Sequence, residues 1–303
     1  MFIMLCGLPS SGKSTWAEVF AKIAEENNKE AYIVSSDAIR EELWGDESIQ
    51  RDHTKVFELA RKRIINALRA DYDYVVFDAT NITRKNRNSI MSQIKHIDCE
   101  KRCIIFAEPY HILCERNRVR ERRVPEDVIW KMLTRFEVPL FTEGFDEILI
   151  VNYNQLDMNE YIEHMRGFNQ DNPHHSSDLF THCHTAAMYL HEKQKDKKKF
   201  ASTTTAAMLH DIGKLFTKTY TDYKGNPSDV AHYYGHEKVG GYYALLYKAT
   251  WSCSERLMIA QLICYHMVHY EFKGEAAEKR WKERLGSLYP LVMLLHEADE
   301  YAH

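Results

Sequence analysis

The sequence predicts an α/β domain with a parallel sheet, followed by a second domain that is all-α. Over residues 1–152, short apolar runs alternate with helical stretches, a pattern typical of a parallel sheet wrapped by helices. Beyond Val151 the strand pattern fades, and from Ser177 onward the residues favour helices. With 303 residues, of which 45% are hydrophobic, the chain is long enough to bury two separate cores.

The predicted elements follow one another in a simple order. Strands are predicted at 2–6, 32–34, 74–77, 103–107 and 147–151, and the helices between them include 15–27, 55–69 and 125–136. Residues 153–173, rich in Asn, Asp and Gln, are predicted to be a linker with one short helix, between a first domain at 1–152 and a second at 174–303. In the second domain, helices are predicted at 181–193, 203–209, 236–248, 254–269 and 288–301, with a turn at 223–227.

Composition and charge limit the classes of function and the cellular compartments that fit this protein. A formal charge of -4 and a pI near 6.5 disfavour a protein that coats nucleic acid non-specifically. Any contact with nucleic acid should therefore be confined to a local basic groove. The seven cysteines form no CxxC pair, which favours a reducing cytoplasm. No stretch approaches the ~20 apolar residues of a membrane span, so we expect no membrane contact. The lysine-rich run 193–199 is interpreted as a solvated loop, with contact to a nucleic-acid backbone as the alternative.

A glycine-rich loop, GLPSSGKST at residues 7–15, stands between the first predicted strand and the first predicted helix. In that context, successive backbone N–H groups and the positive end of the helix dipole form a cradle for phosphates. We expect Lys13 to reach the β- and γ-phosphates of ATP or another nucleoside triphosphate, and Ser14 to ligate Mg²⁺. The predicted nucleotide-binding residues of this loop are Gly7, Pro9, Ser10, Ser11, Gly12, Lys13, Ser14 and Thr15.

Acidic residues follow the next two predicted strands. In SSDAIRE (35–41), Asp37 could accept the proton of an attacking hydroxyl, and Arg40, one turn later, could hold a phosphate of the acceptor. The alternative, compatible with this role, is that Ser36 or Asp37 caps the following helix. In VVFDATN, Asp78 ends a strand at the carboxyl edge of the sheet, where it could support Mg²⁺ through water or orient Arg40.

An arginine-rich segment, ERNRVRERRVPEDVI, occupies residues 115–129. Arg116 and Arg120 are four residues apart and are predicted to share one helix face. Such a pair suits a lid that closes over the triphosphate and neutralises charge in the transition state. The alternative is an exposed helix covered by salt bridges.

In this order and spacing, GLPSSGKST, SSDAIRE, FDATN and ERNRVRERRVP resemble the kinase domain of phage-type polynucleotide 5'-kinases, over about residues 1–150. The resemblance implies Lys13 and Ser14 on ATP and Mg²⁺, Asp37 as general base, Arg40 on the acceptor phosphate, Asp78 as a supporting carboxylate, and Arg116 with Arg120 in the lid. Related P-loop kinases that act on small molecules share most of these motifs. A nucleoside or other metabolite therefore stays open as the acceptor.

The pair Asp71 and Asp73 resembles the nucleophile motif of aspartyl-phosphate phosphatases. In that chemistry the motif follows its strand, whereas here it precedes the strand predicted at 74–77. We interpret it as a turn. Any phosphatase role of the chain must then fall to the second domain.

In the second domain, the adjacent residues His210 and Asp211 stand in the motif LHDIGK. Neighbouring residues on a helix point about 100° apart, so these two can share a centre only where other helices bring further ligands. An open site of imidazoles and carboxylates favours Mn²⁺, Fe or Mg²⁺ over a closed structural zinc. The further candidates, each on a predicted helix or at its start, are His182, His236, His266 and Asp299, and the weaker ones are His175 and His184.

This arrangement resembles the HD-domain metal-dependent phosphohydrolases over residues 174–303. The resemblance implies His182, His210, Asp211 and Asp299 as the core metal ligands, His236 and His266 on a second metal, and Lys214 positioning the phosphate. Water activated by the metal would attack phosphorus.

Together, the two resemblances imply a bifunctional end-healing enzyme. It would phosphorylate the 5'-hydroxyl ends of RNA or DNA and remove a 2',3'-cyclic phosphate or 3'-phosphate, while a separate RNA ligase would seal the ends. Two alternatives stay open. One is a small-molecule or nucleoside kinase joined to a nucleotide phosphohydrolase, and the other is a regulatory HD domain that gates the kinase without turnover.

Overall fold

The computed structural model describes residues 1–173, 177–193, 200–248 and 251–303. His175 and residues 194–199 of the lysine-rich run fall outside these ranges. The chain divides into two compact units, Met1–Trp130 with Pro139–Tyr153, and Lys131–Val138 with Asn154–His303. The domain limits drawn from the sequence stay a prediction.

The first part of the chain forms a parallel sheet with intervening helices, which confirms the predicted α/β class. Its elements are β1 (Phe2–Gly7), α1 (Lys13–Glu26), β2 (Ala31–Ser35), α2 (Ser36–Trp44), α3 (His53–Arg69), β3 (Tyr74–Asp78), α4 (Arg84–Ile94), β4 (Lys101–Phe106), α5 (Tyr110–Arg118), α6 (Glu126–Leu133) and β5 (Glu147–Val151). Within the described residues, the strand order is β2-β3-β1-β4-β5, and every neighbouring pair is parallel. Every residue of the central strand β1 is buried, as expected for a strand covered on both faces.

The carboxyl ends of four strands meet at one edge of this sheet. Gly7 at the end of β1 is in register with Phe106 of β4, and Ser35 of β2 is in register with Asp78 of β3. Ligands of open α/β sheets bind at this edge. The sheet therefore places the phosphate loop, the start of α2 and Asp78 side by side.

A buried ion pair joins α4 to the segment before β5. Arg87 Nε and Nη2 donate to Glu143 Oε2 and Oε1 at 2.7 and 2.8 Å, and neither side chain is exposed to solvent. The two parallel hydrogen bonds give the guanidinium and the carboxylate the bidentate geometry that a buried pair needs.

The second unit is mainly helical. It contains α7 (Met158–Met165), α8 (Leu179–Lys193), α9 (Ala201–Leu209), α10 (Lys214–Thr217), α11 (His236–Ala244), α12 (Cys253–Tyr265), α13 (Glu275–Leu285) and α14 (Tyr289–Tyr301). A 3₁₀ helix at His266–Glu271 follows α12, where the sequence predicted that the α-helix would continue to residue 269. None of the helices that the structure describes is both long enough and apolar enough to cross a bilayer.

The second unit is mainly helical, as expected, but it also contains short strands that the sequence did not predict. In the described residues, β6 (Leu156–Asp157) pairs in parallel with β9 (Tyr247–Lys248), and β7 (Thr219–Thr221) pairs in antiparallel with β8 (Pro227–His232). The turn predicted at 223–227 connects β7 to β8. The helix predicted at 236–248 ends at Ala244, before β9.

Two glycines allow the helices of this unit to pack closely. A β-carbon at Gly213 would lie 1.9 Å from the carbonyl oxygen of His236, and one at Gly241 would lie 2.7 Å from the β-carbon of Cys264. Only a residue without a side chain fits such close approaches. These contacts bring the start of α11 against the LHDIGK segment and α11 against α12.

Candidate functional site

The local geometry of the phosphate loop requires glycine at two positions, Gly7 and Gly12. A β-carbon at Gly7 would lie 2.7 Å from the carbonyl oxygen of Phe106. Gly12, directly before α1, has a φ of 92°, and Ser10 has a φ of 64°, both in the left-handed region. These conformations turn the chain sharply from β1 into α1, whose N-terminus favours anions.

Lys13, Ser14 and Asp78 form one electrostatic cluster at this loop. Lys13 Nζ donates to Leu8 O at 2.8 Å and to Ser11 Oγ at 3.3 Å. Burial lowers the pKa of Lys13, and the charge of Asp78 partly offsets this effect. Burial raises the pKa of Asp78, while Lys13 and a hydrogen bond with Ser14 act against the rise. A lysine beside hydroxyl and carboxylate oxygens suits a triphosphate with Mg²⁺.

Asp37 lies between two arginines at the start of α2. Its Oδ1 accepts a hydrogen bond from Arg40 Nη1 at 2.7 Å, and Arg122 Nη1 lies 3.0 Å from Oδ2. The aspartate is 42% exposed, so an acceptor can reach it. The helix cap is Ser35, whose Oγ accepts from the backbone N–H of Ala38, so the prediction of Ser36 or Asp37 as the cap is wrong.

The predicted lid helix is shorter than the sequence suggested. Because α5 ends at Arg118, Arg116 and Arg120 do not share a helix face, and this prediction is wrong. Arg116 Nη1 instead pairs with the buried carboxylate of Glu108 at 3.2 Å. Arg120 Nη1 donates to Ser10 Oγ at 3.4 Å, which places this guanidinium at the phosphate loop.

The second unit brings six sequence-predicted ligands into one buried group, which we call the cage: His182, His210, Asp211, His236, His266 and Asp299. Asp299 Oδ1 lies 3.0 Å from His182 Nε2 and 3.2 Å from His210 Nε2. The Nε2 atoms of His182 and His210 are 3.2 Å apart. Five segments that are distant in the sequence therefore converge on one centre.

The two oxygens of Asp211 face different histidines. Oδ2 lies 3.5 Å from Nε2 of both His182 and His210. Oδ1 lies 3.1 Å from His236 Nε2 and 3.8 Å from His266 Nε2. A carboxylate placed in this way could supply one ligand oxygen to each of two groups of histidines and a cation that they would hold.

Main-chain carbonyls orient the imidazoles of the cage. Nδ1 of His210, His236 and His266 each lies 2.7 to 2.8 Å from the carbonyl oxygen three residues earlier in the chain. Donation from Nδ1 fixes each ring so that Nε2 faces the centre, and on a neutral ring Nε2 carries the lone pair that can bind a cation. His210 and His266 immediately follow α9 and α12, so their rings reach carbonyl oxygens in the last turn of those helices.

The charged groups of the cage stabilise one another. Burial alone would raise the pKa of Asp211, but Lys214 and His210 outweigh burial and hold the pKa well below its usual value. The pKa of Asp299 is also lowered, since His210 and His182 outweigh the effect of burial. Burial, together with His210 and His236, lowers the pKa of His266 to about 3, so this ring is neutral and able to bind a cation.

Lys214 points into the cage, and two residues that the sequence did not single out support it. Its Nζ lies 2.6 Å from Asp211 Oδ2 and donates to Gln170 Oε1 at 2.8 Å. Gln170 is buried, and its main-chain carbonyl oxygen accepts a hydrogen bond from Tyr233 Oη. A glutamine in a polar linker carries no motif, so only the fold reveals it. The weaker candidate His184 stacks on Phe180 and is exposed.

The donor set of the cage fits a divalent metal. Nε2 of His266 is buried and has no hydrogen-bond partner among the described residues. Such an atom is costly unless something binds it, and neutral imidazoles with carboxylates are the ligands that Mn²⁺, Fe²⁺ and Zn²⁺ prefer. His303 lies beside His182 and Asp299 and could add a ligand on that side.

Two family models match the chain. A model described as AAA domain matches residues 2–139, and a model described as HD domain matches residues 179–303. The first match contains the phosphate loop, Asp37 and the arginine-rich segment. The second contains every residue of the cage.

Individual proteins and solved structures are also similar to part of the chain. L-seryl-tRNA(Sec) kinase of Methanococcus maripaludis is 30% identical over 177 residues, which are 56% of this chain and 67% of that protein. The bifunctional polynucleotide phosphatase/kinase of Schizosaccharomyces pombe is 27% identical over 151 residues, 48% of this chain and 32% of that protein. In the solved structure of a Pnkp1/Rnl/Hen1 RNA repair complex, one chain is 20% identical with a TM-score of 0.36, and the match covers 44% of this chain and 43% of that one.

Proposed function

This chain belongs to the P-loop kinases through its first domain and to the HD-domain proteins through its second, and on that premise we propose that it heals nucleic-acid ends. The kinase would phosphorylate the 5'-hydroxyl of RNA or DNA. The HD domain would remove the 2',3'-cyclic phosphate or 3'-phosphate at the other end. A separate RNA ligase would join the two products.

The placement of Asp37 carries the kinase part of the proposal. Its charge acts on Lys13, so the proposed base and the phosphate loop share one site. Asp37 would take the proton of the acceptor hydroxyl while that oxygen attacks the γ-phosphorus and ADP leaves. Lys13 and Arg120 would stabilise charge on the transferred phosphoryl group, and Arg40 would hold the phosphate next to the acceptor hydroxyl. Mg²⁺, held by Ser14 and Asp78, supplies charge neutralisation when bound.

The two-sided carboxylate of Asp211 carries the hydrolase part. With histidines near each of its oxygens, Asp211 would help to hold two cations, one with His182, His210 and Asp299 and the other with His236 and His266. When bound, such metals supply an acidified water and charge neutralisation for phosphate hydrolysis. Lys214, held by Asp211 and Gln170, would position a phosphate oxygen beside the centre.

The names of two relatives support a polynucleotide as the acceptor. One is described as a kinase of L-seryl-tRNA(Sec), and the other as a polynucleotide phosphatase/kinase. Both names refer to a kinase that acts on a nucleic acid or on a group attached to one. A hydroxyl on an aminoacylated tRNA is therefore the second candidate acceptor, ahead of a free nucleoside.

The decisive experiment offers all acceptors in parallel. Labelled ATP is mixed with 5'-hydroxyl RNA, 5'-hydroxyl DNA, seryl-tRNA and free nucleosides, and the phosphorylated product is identified. We expect transfer to the 5' end, and Lys13→Ala should abolish it. Transfer only to seryl-tRNA or to nucleosides would contradict the end-healing proposal.

The hydrolase is tested on oligonucleotides that end in a 2',3'-cyclic phosphate or a 3'-phosphate, with Mn²⁺ or Mg²⁺ added. Asp211→Ala should lose this activity and keep the kinase, and His184→Gln should keep both. If Asp211→Ala keeps its phosphatase activity while its kinase activity changes, the HD domain is regulatory instead.

A further inference from the structure

A second cluster of potential ligands lies outside the cage. His269 belongs to the 3₁₀ helix after α12, and His296 and Glu300 belong to α14. Each of the three offers one ligand atom, and these atoms all lie within 4.8 Å of one another. None of the three is a member of the cage, although α14 also carries Asp299.

His269 is held in the same way as the imidazoles of the cage. Its Nδ1 lies 3.2 Å from the carbonyl oxygen of His266, again three residues earlier in the chain. The ring therefore keeps its lone pair on Nε2, and that atom is buried without a hydrogen-bond partner among the described residues. This arrangement prepares a neutral imidazole to act as a ligand.

The two residues on α14 have the spacing of a paired ligand. His296 and Glu300 are four residues apart, so their side chains lie one above the other on one helix face. The ring of His296 stacks on that of His269, with centroids 3.3 Å apart and an interplanar angle of 20°. Nδ1 of His296 is also buried and has no hydrogen-bond partner in the described part of the chain.

Two buried ring nitrogens without hydrogen-bond partners are unfavourable in a folded protein unless a bound group satisfies them. Glu300 adds a negative charge at the exposed side of the cluster, and Tyr270 Oη donates to its Oε1 at 3.3 Å. Two imidazoles and one carboxylate with an open side form a donor set for Zn²⁺ or a similar transition-metal ion.

We propose that His269, His296 and Glu300 bind a divalent transition-metal ion, in a site separate from the cage. This ion would fasten the 3₁₀ helix that follows α12 to α14, and so hold His266 and Asp299 at their places in the cage. The proposal does not depend on the substrates of either domain.

The test measures zinc on the full chain after chelator treatment and dialysis against ZnCl₂. The background is a cage-deficient protein, His210→Ala with Asp211→Ala, so that zinc bound by the cage is reduced equally in every sample. Adding His296→Gln should remove one equivalent of zinc from this protein, and adding His184→Gln should remove none. Equal zinc contents with and without His296→Gln would overturn the proposal.

A second variant guards against loss of folding. Glu300 is exposed, so Glu300→Gln should fold normally, and we expect its zinc dissociation constant at this site to rise about tenfold or more. Zinc should also raise the thermal midpoint of the cage-deficient protein, and Glu300→Gln should weaken that rise. An unchanged zinc affinity of Glu300→Gln, or a zinc-dependent rise of the midpoint as large as without this substitution, would count against the site.

Discussion

Gly213 lies so close to His236 that a β-carbon on the glycine would stand 1.9 Å from the carbonyl oxygen of the histidine. Gly213→Ala must push α11 away, which would move His236 out of the cage. We expect the free energy of unfolding to fall by at least about 1–3 kcal/mol. The hydrolase activity should be lost and the kinase activity retained. Urea unfolding and both activity assays measure these effects.

The control for that change is Gly225→Ala. Gly225 has a φ of +90°, but a β-carbon there would meet nothing within 4 Å. Only backbone strain of about 1–2 kcal/mol should result, with the hydrolase activity intact. Equal losses of activity in the two variants would show that the contact with His236 is not the cause.

The buried pair of Arg87 and Glu143 should be sensitive to the removal of one partner. Arg87→Met leaves the carboxylate buried without its counter-charge, and we expect a cost of about 3–5 kcal/mol in the free energy of unfolding. Arg87→Met with Glu143→Leu should cost less than the single change, because no charge is left uncompensated. Arg102, which pairs with Glu100 and Glu147 at the surface, is the control, and Arg102→Met should cost about 1 kcal/mol or less.

Asp37→Asn tests the proposed base directly. An amide cannot take the proton of the acceptor hydroxyl, so kcat of the kinase should fall by a factor of about 10²–10⁴. ATP affinity should change little, because the loop residues that bind the triphosphate are unaltered. Glu42→Gln, on the same helix and paired with Arg63, should leave kcat unchanged. A weakened ATP affinity with normal kcat would assign Asp37 a binding role instead.

The neutral state of His266 predicts how the metal-free protein responds to acid. The pKa of this ring is 6.5 in its ordinary state and about 3 in the fold, so the unfolded chain gains a proton first as the pH falls. The stability that this ring contributes is complete above about pH 6.5 and declines toward pH 3. In urea unfolding, the metal-free protein should lose more stability between about pH 7 and pH 5 than His266→Gln does. Parallel pH profiles for the two proteins would refute this assignment, and His184→Gln should behave as the unaltered chain.

The sequence was sufficient to predict strands with a clear apolar pattern and site residues that stand in recognisable motifs. The strand at 147–151 was predicted residue for residue, and the six cage residues were chosen from motifs and helix positions alone. In the described residues, β6, β7 and β9 were missed because two or three residues show no periodicity, and the six residues of β8 (PSDVAH) do not alternate between apolar and polar.

The arginine-rich segment shows why other features could not be predicted without the three-dimensional structure. The side-chain amide of Asn117 bonds both the carbonyl oxygen and the N–H of Val124, at 2.7 and 3.0 Å, and so folds the chain back just after α5. This return ends the helix before Arg120 and brings Arg122 to Asp37. Spacing along a helix cannot reveal a contact that a side chain makes across a turn.

The carbonyls that aim His210, His236 and His266 belong to Ala207, Tyr233 and Ile263. Every amino acid has a main-chain carbonyl oxygen. These three residues can therefore be replaced by other residue types during evolution while the imidazoles keep their orientation. What selection must preserve is the path of the backbone at those points. Grafting this centre onto another helical scaffold would accordingly mean copying three chain trajectories, and not a surrounding shell of side chains.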